Sequence, residues 1–306
     1  MEINKEDILK EMISIRDILR WTISQFNQSD IYYGHGTDNP VDEALQLVLS
    51  SLFLPLNLPS EMYSSRLTLS ERSKIFDLVR IRIQQYIPVS YLINKSWFCG
   101  LEFYIDERVC IPRSPIGELI RNNFMNLLSC SPRYILDMCT GSGCLAIASA
   151  YIYPKAQIDA VDISAEVLEV TKYNIYQHNL ENRVSPIQSD LFTNVPKKQR
   201  YDLILTNPPY VNQKSLQELP REFYAEPQIS LYGGDEDGLN LVDQILYNAA
   251  DYLTEDGIMI CEVGESRLYM NQRYPQKSFC WINLKDGGDG VFMITRQQLL
   301  KYFKIL

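Results

Sequence analysis

The sequence predicts an α/β protein fronted by a small helical domain, and three observations carry that expectation. Apolar residues recur at helical spacing before about residue 90. Short apolar strands alternate with helices from Tyr134 onward. Near the C-terminus, two strand-like runs flank a glycine-rich turn, which adds an antiparallel hairpin to an otherwise mostly parallel sheet with helices on both faces. At roughly 100 to 200 residues per domain, the 306 residues correspond to about two domains. The expected division is a helical domain over 1–90, a hairpin linker over 91–115 and an α/β domain over 116–306.

In the front half, Ile8, Met12, Ile15, Leu19 and Ile23 step by three or four residues and fall on one face of a helix. Asn39-Pro40 reads as an N-cap followed by proline at the first helical position, ahead of Val41, Leu45, Val48, Leu49 and Leu52. A third helix is expected from Ser70, with Ile75, Val79 and Ile83 facing inward and Pro88 beyond its end. Trp97 to Arg113 turns strand-like (Phe98, Phe103, Tyr104, Ile105, Val109) and is expected to form a hairpin joining the halves. Ser114-Pro115 would cap a helix whose inner face is Ile116, Ile120, Phe124 and Leu127.

In the back half the expected strands are Tyr134 to Met138, Ile158 to Ile163, Val184 to Ser189, Tyr201 to Thr206 and Gly257 to Val263. Leu239, Val242, Ile245, Leu246, Ala249 and Leu253 mark the amphipathic helix before the last of these. Phe279 to Leu284 and Val291 to Thr295 flank Asp286-Gly287-Gly288-Asp289-Gly290, a turn suited to an antiparallel hairpin. No internal repeat or low-complexity tract occurs.

Composition narrows the function. With 46% hydrophobic and 22% charged residues the chain has an ordinary globular balance. The longest uncharged apolar run, Cys144 to Tyr153, stops at Pro154, short of the ~20 residues a membrane helix needs. The N-terminus shows no export signal, so a cytoplasmic location is expected. The seven cysteines contain no Cys-x-x-Cys pair, which argues for reduced thiols rather than a zinc knuckle or disulfide framework. Only two histidines, His35 and His178, are present, so a metal site or a Ser-His-Asp triad has little to draw on and no metal is expected. The formal charge of −9 is spread over both halves: twelve basic against fifteen acidic residues up to 115, and seventeen against twenty-three beyond. No basic stripe for a phosphate backbone is hidden in that total, and direct DNA binding is not expected. An acidic chain is better suited to a basic partner.

Chemistry concentrates where the expected strands end. Asp137-Met138-Cys139-Thr140-Gly141-Ser142-Gly143 closes the first parallel strand, and its glycines allow a tight turn and close approach of a ligand. A pyrophosphate-binding Gly-x-Gly-x-x-Gly is not satisfied, because residue 146 is alanine. Asp162, about twenty residues on at the end of the second strand, is placed to accept both hydroxyls of a ribose, and Asp190-Leu191 after the third could hydrogen-bond and cover an adenine. Each acid alone could equally be a helix cap or a solvated loop residue. Together these loops outline an adenosine site without a phosphate cradle, which suggests S-adenosylmethionine.

Asn207-Pro208-Pro209-Tyr210 closes the fourth strand. Two prolines cannot donate ladder hydrogen bonds, so the strand ends and the Pro208 carbonyl is freed. A planar amide or amino nitrogen is a poor nucleophile because its lone pair is delocalised. Accepting its two hydrogens at the Asn207 side-chain oxygen and the Pro208 carbonyl aims that lone pair at a sulfonium methyl, while Tyr210 packs on the planar group. Orientation and charge placement then carry catalysis, worth about 7 to 11 kcal/mol at ideal alignment. Cys139 and Cys144 are expected to pack, not to act as nucleophiles, and His178 is expected at the surface. His35 is structural or touches the substrate, and the acidic run at 235–237 is a solvated loop or faces a basic substrate.

Nearly the whole chain resembles the bacterial protein-glutamine N(5)-methyltransferases, within them the branch that modifies the third protein of the large ribosomal subunit, a sister of the release-factor enzymes. Asp137 to Gly143, Asp162 and Asn207 to Tyr210 are class motifs. Trp97 to Gly100, Val109 to Ile120, Tyr33 to Pro40 and Asp286 to Met293 carry the likeness to the ribosomal-protein branch. The resemblance implies a Rossmann-like, S-adenosylmethionine-dependent methyltransferase sheet, releasing S-adenosylhomocysteine. It implies that Cys139, Thr140, Gly141, Ser142 and Gly143 line the methionine end of the cofactor, that Asp162 binds the ribose, and that Asn207 with Pro208 holds a glutamine amide. It also makes the helical domain a substrate-recognition domain and the partner a basic large-subunit ribosomal protein, modified before or during assembly. Leu191 stands where the release-factor enzyme tends to carry an aromatic. The alternatives are a release-factor glutamine methyltransferase, an adenine-amino methyltransferase acting on nucleic acid, and a non-catalytic ribosome-assembly factor.

Overall fold

The computed structural model describes residues 5–234 and 236–304. The chain divides into two units, Met1–Lys95 with Pro220–Ala225, and Ser96–Leu219 with Glu226–Leu306.

Among the described residues the α-helices of the first unit are α1 (Lys5–Glu11), α2 (Ile15–Asn27), α3 (Pro40–Ser51), α4 (Leu69–Gln85) and α5 (Val89–Ile93). The single helix expected from Ile8 to Ile23 is broken in two. Ser14 accepts the Asp17 N–H while Asp17 accepts the Ser14 N–H, a capping box that starts a new helix at Ile15. The buried face of α2 is accordingly Ile15, Ile18, Trp21 and Phe26, with Leu19 and Ile23 packed at its margin. Asn39 caps α3 as its sequence implies, accepting the Val41 and Asp42 N–H groups at 3.0 and 2.9 Å.

The core face of α4 carries Ile75, Phe76 and Val79, and also Arg82, which is only 1% exposed. Its guanidinium donates to Glu43 at 2.6 Å, to Glu222 at 2.9 Å and to the Tyr32 carbonyl at 2.8 Å. Glu222 belongs to the returning segment 220–225 and also accepts the Tyr32 N–H at 2.8 Å. A buried charge persists only when paired and hydrogen-bonded. The same segment supplies Phe223, whose ring packs 4.5 Å from that of the buried His35.

The second unit opens with a hairpin, β1 (Ser96–Phe98) and β2 (Leu101–Phe103), shorter than the sequence pattern suggests. After α6 (Ile116–Arg121) come β3 (Tyr134–Met138), α7 (Cys144–Ile152), β4 (Gln157–Asp162), α8 (Ala165–Gln177), β5 (Val184–Gln188), β6 (Tyr201–Thr206), α9 (Gln213–Glu218), α10 (Asn240–Ala249), β7 (Leu253–Glu262), α11 (Arg267–Arg273), β8 (Cys280–Trp281), β9 (Val291–Thr295) and α12 (Arg296–Phe303). The helix expected to reach Leu253 ends at Ala249, because Leu253 pairs with Tyr201 and opens β7 early. The sheet order is β5-β4-β3-β6-β7-β9-β8, parallel from β5 to β7 and antiparallel beyond. The chain winds outward from β3 to β5 and then returns to place β6 on the other side of β3. The crevice beyond the carboxyl ends of β3 and β6 is thus a topological switch point, where open α/β sheets bind ligands. Val242, Ile245, Leu246 and Ala249 of α10 are wholly buried in the core of this unit.

Candidate active site

All the strand-end loops singled out in the sequence meet at that edge. The Thr140 N–H donates to the Val161 carbonyl at 2.9 Å, the Gly141 N–H to Asp162 Oδ2 at 3.0 Å, and the Ser189 N–H to the Asp162 carbonyl at 2.9 Å. Met138 pairs with Thr206, so Cys139 and Asn207 leave adjacent strands side by side.

The glycine loop is braced from beneath. Asp137 is fully buried, and its Oδ2 accepts the Thr140 hydroxyl at 2.5 Å and the Ala146 N–H at 3.1 Å. Gly143, at the N-cap of α7, has no side chain to satisfy the helix's first N–H groups, and Asp137 accepts one of them, that of Ala146, from the preceding strand. Burial raises the Asp137 carboxyl to about 7. Thr140 and Ser142 are also buried. Two residues of α8 hold the loop from behind: Thr171 donates to the Gly141 carbonyl at 2.7 Å and Asn174 to the Ser142 carbonyl at 2.9 Å. Gly143 sits at φ +83°, and a Cβ there would lie 3.0 Å from Thr171 Cγ2. Asp137, Thr140 and Ser142 therefore shape the loop, whereas Gly141 faces open space, where a Cβ would meet nothing within 4 Å.

Asp162 is partly exposed at the mouth. Each of its oxygens accepts one backbone N–H, from Gly141 and from Ser164, which leaves lone pairs for further donors. Burial raises its pKa and these N–H bonds oppose the rise. Asp190 is exposed at the rim, and Leu191 follows it half-buried at φ +44°. Burial pushes the Cys139 and Cys144 thiols up, against thiolate chemistry.

After β6, neither the Asn207 side-chain amide nor the Pro208 carbonyl has a hydrogen-bond partner among the described residues. Tyr210 is held at three points. Its carbonyl accepts from the Ser266 hydroxyl at 2.8 Å, its ring lies against Gly264, and its own hydroxyl donates to Glu262 Oε1 at 2.8 Å. Glu262 Oε2 accepts the Ser114 hydroxyl at 2.6 Å. Burial and the Glu262 charge push the Tyr210 hydroxyl well above its ordinary range, so it stays protonated. Nearby, Glu226 binds Arg113 at 2.8 Å, the Cys110 thiol at 2.8 Å and the Ile111 N–H at 3.3 Å.

Sequence reasoning had no role for Thr171, Asn174, Glu226 or Glu262, and read Ser114 only as a cap for the helix after it, whose Ile116 N–H it does accept at 3.3 Å. Thr171 and Asn174 carried a signal as polar residues on the inward face of an amphipathic helix. Glu226 and Glu262 meet partners far apart in the chain, and neither carried a signal.

The arrangement fits S-adenosylmethionine: an open glycine turn, a carboxylate with spare acceptors one strand away, and two unengaged amide acceptors beside them. Residues 122–234 match the family model described as the methyltransferase small domain. The catalytic domain of hMettl16, solved with an RNA hairpin, covers 74% of this chain and 80% of its own at a TM-score of 0.50 and 16% identity, a likeness of fold. The ribosomal protein uL3 glutamine methyltransferase of Francisella tularensis is 43% identical over 97% of this chain and 95% of its own. That of Neisseria gonorrhoeae is 42% identical over 95% of this chain and 97% of its own. Identity of that order along nearly full length, on a sheet whose strand ends carry this site, shows that the chain belongs to the ribosomal protein uL3 glutamine methyltransferase family, S-adenosylmethionine-dependent enzymes with a Rossmann-like α/β fold.

Proposed function

We propose that this chain methylates the side-chain amide nitrogen of one glutamine in ribosomal protein uL3, with Asn207 and Pro208 holding the amide and Tyr210 packed on its plane. The observation that carries the reading is the pair of unengaged acceptors at 207 and 208, beside a tyrosine whose ring is fixed in place. When bound, S-adenosylmethionine would supply an electrophilic methyl group on a sulfonium sulfur, which keeps the electron pair of the broken S–C bond as a thioether, and the amide nitrogen that takes the methyl gives up one of its two hydrogens as a proton to water. Asn207 Oδ1 and the Pro208 carbonyl accept the two amide hydrogens and turn the nitrogen lone pair toward that methyl. As the nitrogen gains positive charge, both acceptors bind more strongly, so their contribution grows toward the transition state. Asp162 takes the ribose hydroxyls, Gly141 and Gly143 lend backbone to the methionine end with Cys139 beside them, and Asp190 and Leu191 border the adenine. Asp137, Thr140 and Ser142 serve the same site by holding the loop's shape.

The helical unit is the substrate-recognition domain in this reading. The −9 charge suits a basic ribosomal protein met in the cytoplasm before or during large-subunit assembly. Among the described residues no helix is long and apolar enough to cross a membrane.

The test is transfer of labelled methyl from S-adenosylmethionine to unmethylated uL3, a release factor and DNA offered side by side. Label on a single uL3 glutamine, lost with Asn207→Ala while cofactor binding persists, is the expected result. Label on the release factor or DNA would overturn the substrate assignment. Near-normal turnover by Asn207→Ala would overturn the alignment role.

A further inference from the structure

We infer that Glu262 is a positioning residue for methyl transfer: through the Tyr210 hydroxyl, and itself anchored by Ser114, it sets the plane on which the substrate amide is laid. The inference rests on the proposed role of Tyr210 as the surface beneath that amide.

Glu262 is the last residue of β7, the strand beside β6, and the pairing of Thr206 with Cys261 brings it level with Asn207. It is 5% exposed, and no salt bridge reaches it among the described residues. A buried carboxylate without an ion-pair partner is costly. Its two oxygens are divided between two hydroxyl donors, Tyr210 at 2.8 Å and Ser114 at 2.6 Å; burial raises its pKa, and these two bonds and the positive field of Arg113 oppose the rise. The distribution has a geometric result. The Tyr210 backbone is tied by Ser266, its ring rests on Gly264 at a distance that leaves a Cβ only 2.6 Å from Cε2, and its far end is tied by Glu262. Three separated points fix the plane of a ring, and without the third the side chain regains torsional freedom about its two χ angles.

Ser114 brings in a motif that the chemistry otherwise leaves idle. Within 110–118, Cys110, Ile111 and Arg113 bind Glu226, Ser114 binds Glu262, and Glu118 accepts the Lys285 and Asp286 N–H groups. The segment is a strap joining remote loops, and Ser114 is its link to the catalytic tyrosine. A purely structural tie would alter melting; a positioning tie alters turnover.

The full-length enzyme is assayed with unmethylated uL3 for kcat and KM, with S-adenosylmethionine affinity and melting temperature measured in parallel. Glu262→Ala is expected to lower kcat by roughly 10- to 100-fold, the scale of a misplacement near 1 Å, with cofactor affinity unchanged. Glu262→Gln, which keeps an acceptor for Tyr210, is expected to recover most of that loss. Tyr210→Phe combined with Glu262→Ala is expected to be no slower than the worse single variant, because both cut the same link. Ser114→Ala, a smaller change that decides the matter where Glu262→Ala fails to fold, is expected to lower kcat about 3- to 10-fold at unchanged cofactor affinity. The inference is overturned if Glu262→Ala, or Ser114→Ala in its place, lowers melting temperature but keeps kcat within twofold, or if the Tyr210→Phe and Glu262→Ala losses multiply. Tyr210→Ala separates the two levels: near-normal turnover there removes the underlying role of Tyr210, whereas a large loss beside active Glu262 variants removes only the positioning role.

Discussion

Asp162 Oδ2 accepts the Gly141 backbone N–H at 3.0 Å, so the carboxylate proposed for the ribose also holds the glycine turn proposed for the methionine end. The two cofactor contacts are mechanically one. Asp162→Ala is expected to weaken S-adenosylmethionine binding by more than the loss of ribose contacts alone, about 10- to 100-fold in Kd for charge-assisted hydrogen bonds. Asp162→Asn, which still offers Gly141 an acceptor, is expected to fall between wild type and alanine. Calorimetric titration orders the three proteins; equal affinity for Asn and Ala would separate the turn from the ribose contact.

Asp137 gives the stability a pH signature. Its carboxyl titrates at about 7 in the folded protein against an ordinary value of 3.8, because it is wholly buried. The folded state therefore keeps a proton that the unfolded chain releases. The contribution is full below about pH 4 and is lost as pH rises through about 7, a change of about 4 kcal/mol at most. Asp137→Asn is expected to flatten the fall in urea-unfolding free energy between pH 5 and pH 8. The same slope in both proteins would place the proton elsewhere.

Arg82 lies between Glu43 and Glu222 with all three buried. Replacing it by methionine strands two carboxylates without their cation, and the expected loss is about 3 to 5 kcal/mol. Glu222 lies in the returning segment, so partial proteolysis of Arg82→Met is expected to cut first within 220–225. An unchanged cleavage pattern would mean that the segment is held by Phe223 and its neighbours instead.

Gly143 stands at φ +83° with Thr171 at its back. Alanine there meets both backbone strain and a 3.0 Å contact, and about 1 to 2 kcal/mol of stability is expected to be lost. Thr171→Ser in the same chain removes the contacted methyl while keeping the hydroxyl bond to the Gly141 carbonyl. It is expected to restore part of the loss; no recovery would assign the whole effect to backbone strain.

The residues alone determined the alternation of strands and helices in the second unit and where the loops of the proposed site begin. Strand periodicity placed β3, β6 and β9 at their observed limits, and the glycines at 141 and 143 and the paired prolines at 208 and 209 marked where β3 and β6 open into loops. These features rest on local chemistry: side-chain alternation, missing Cβ atoms and missing N–H groups act within a few residues. Capping was legible too at Asn39, yet at Ser14 and Asp17 the apolar spacing overrode it and hid a helix break.

Only the tertiary structure decided which charged groups belong inside. Arg82 and Glu222 are 140 residues apart, Ser114 and Glu262 148, and Tyr210 and Glu262 52. In sequence Arg82, Glu222 and Glu262 each read as an ordinary surface residue, because burying a charge is favourable only once its partners are in place. Those partners are supplied by chain crossings that no local pattern encodes: the return of 220–225 to the helical unit and the placement of β7 beside β6.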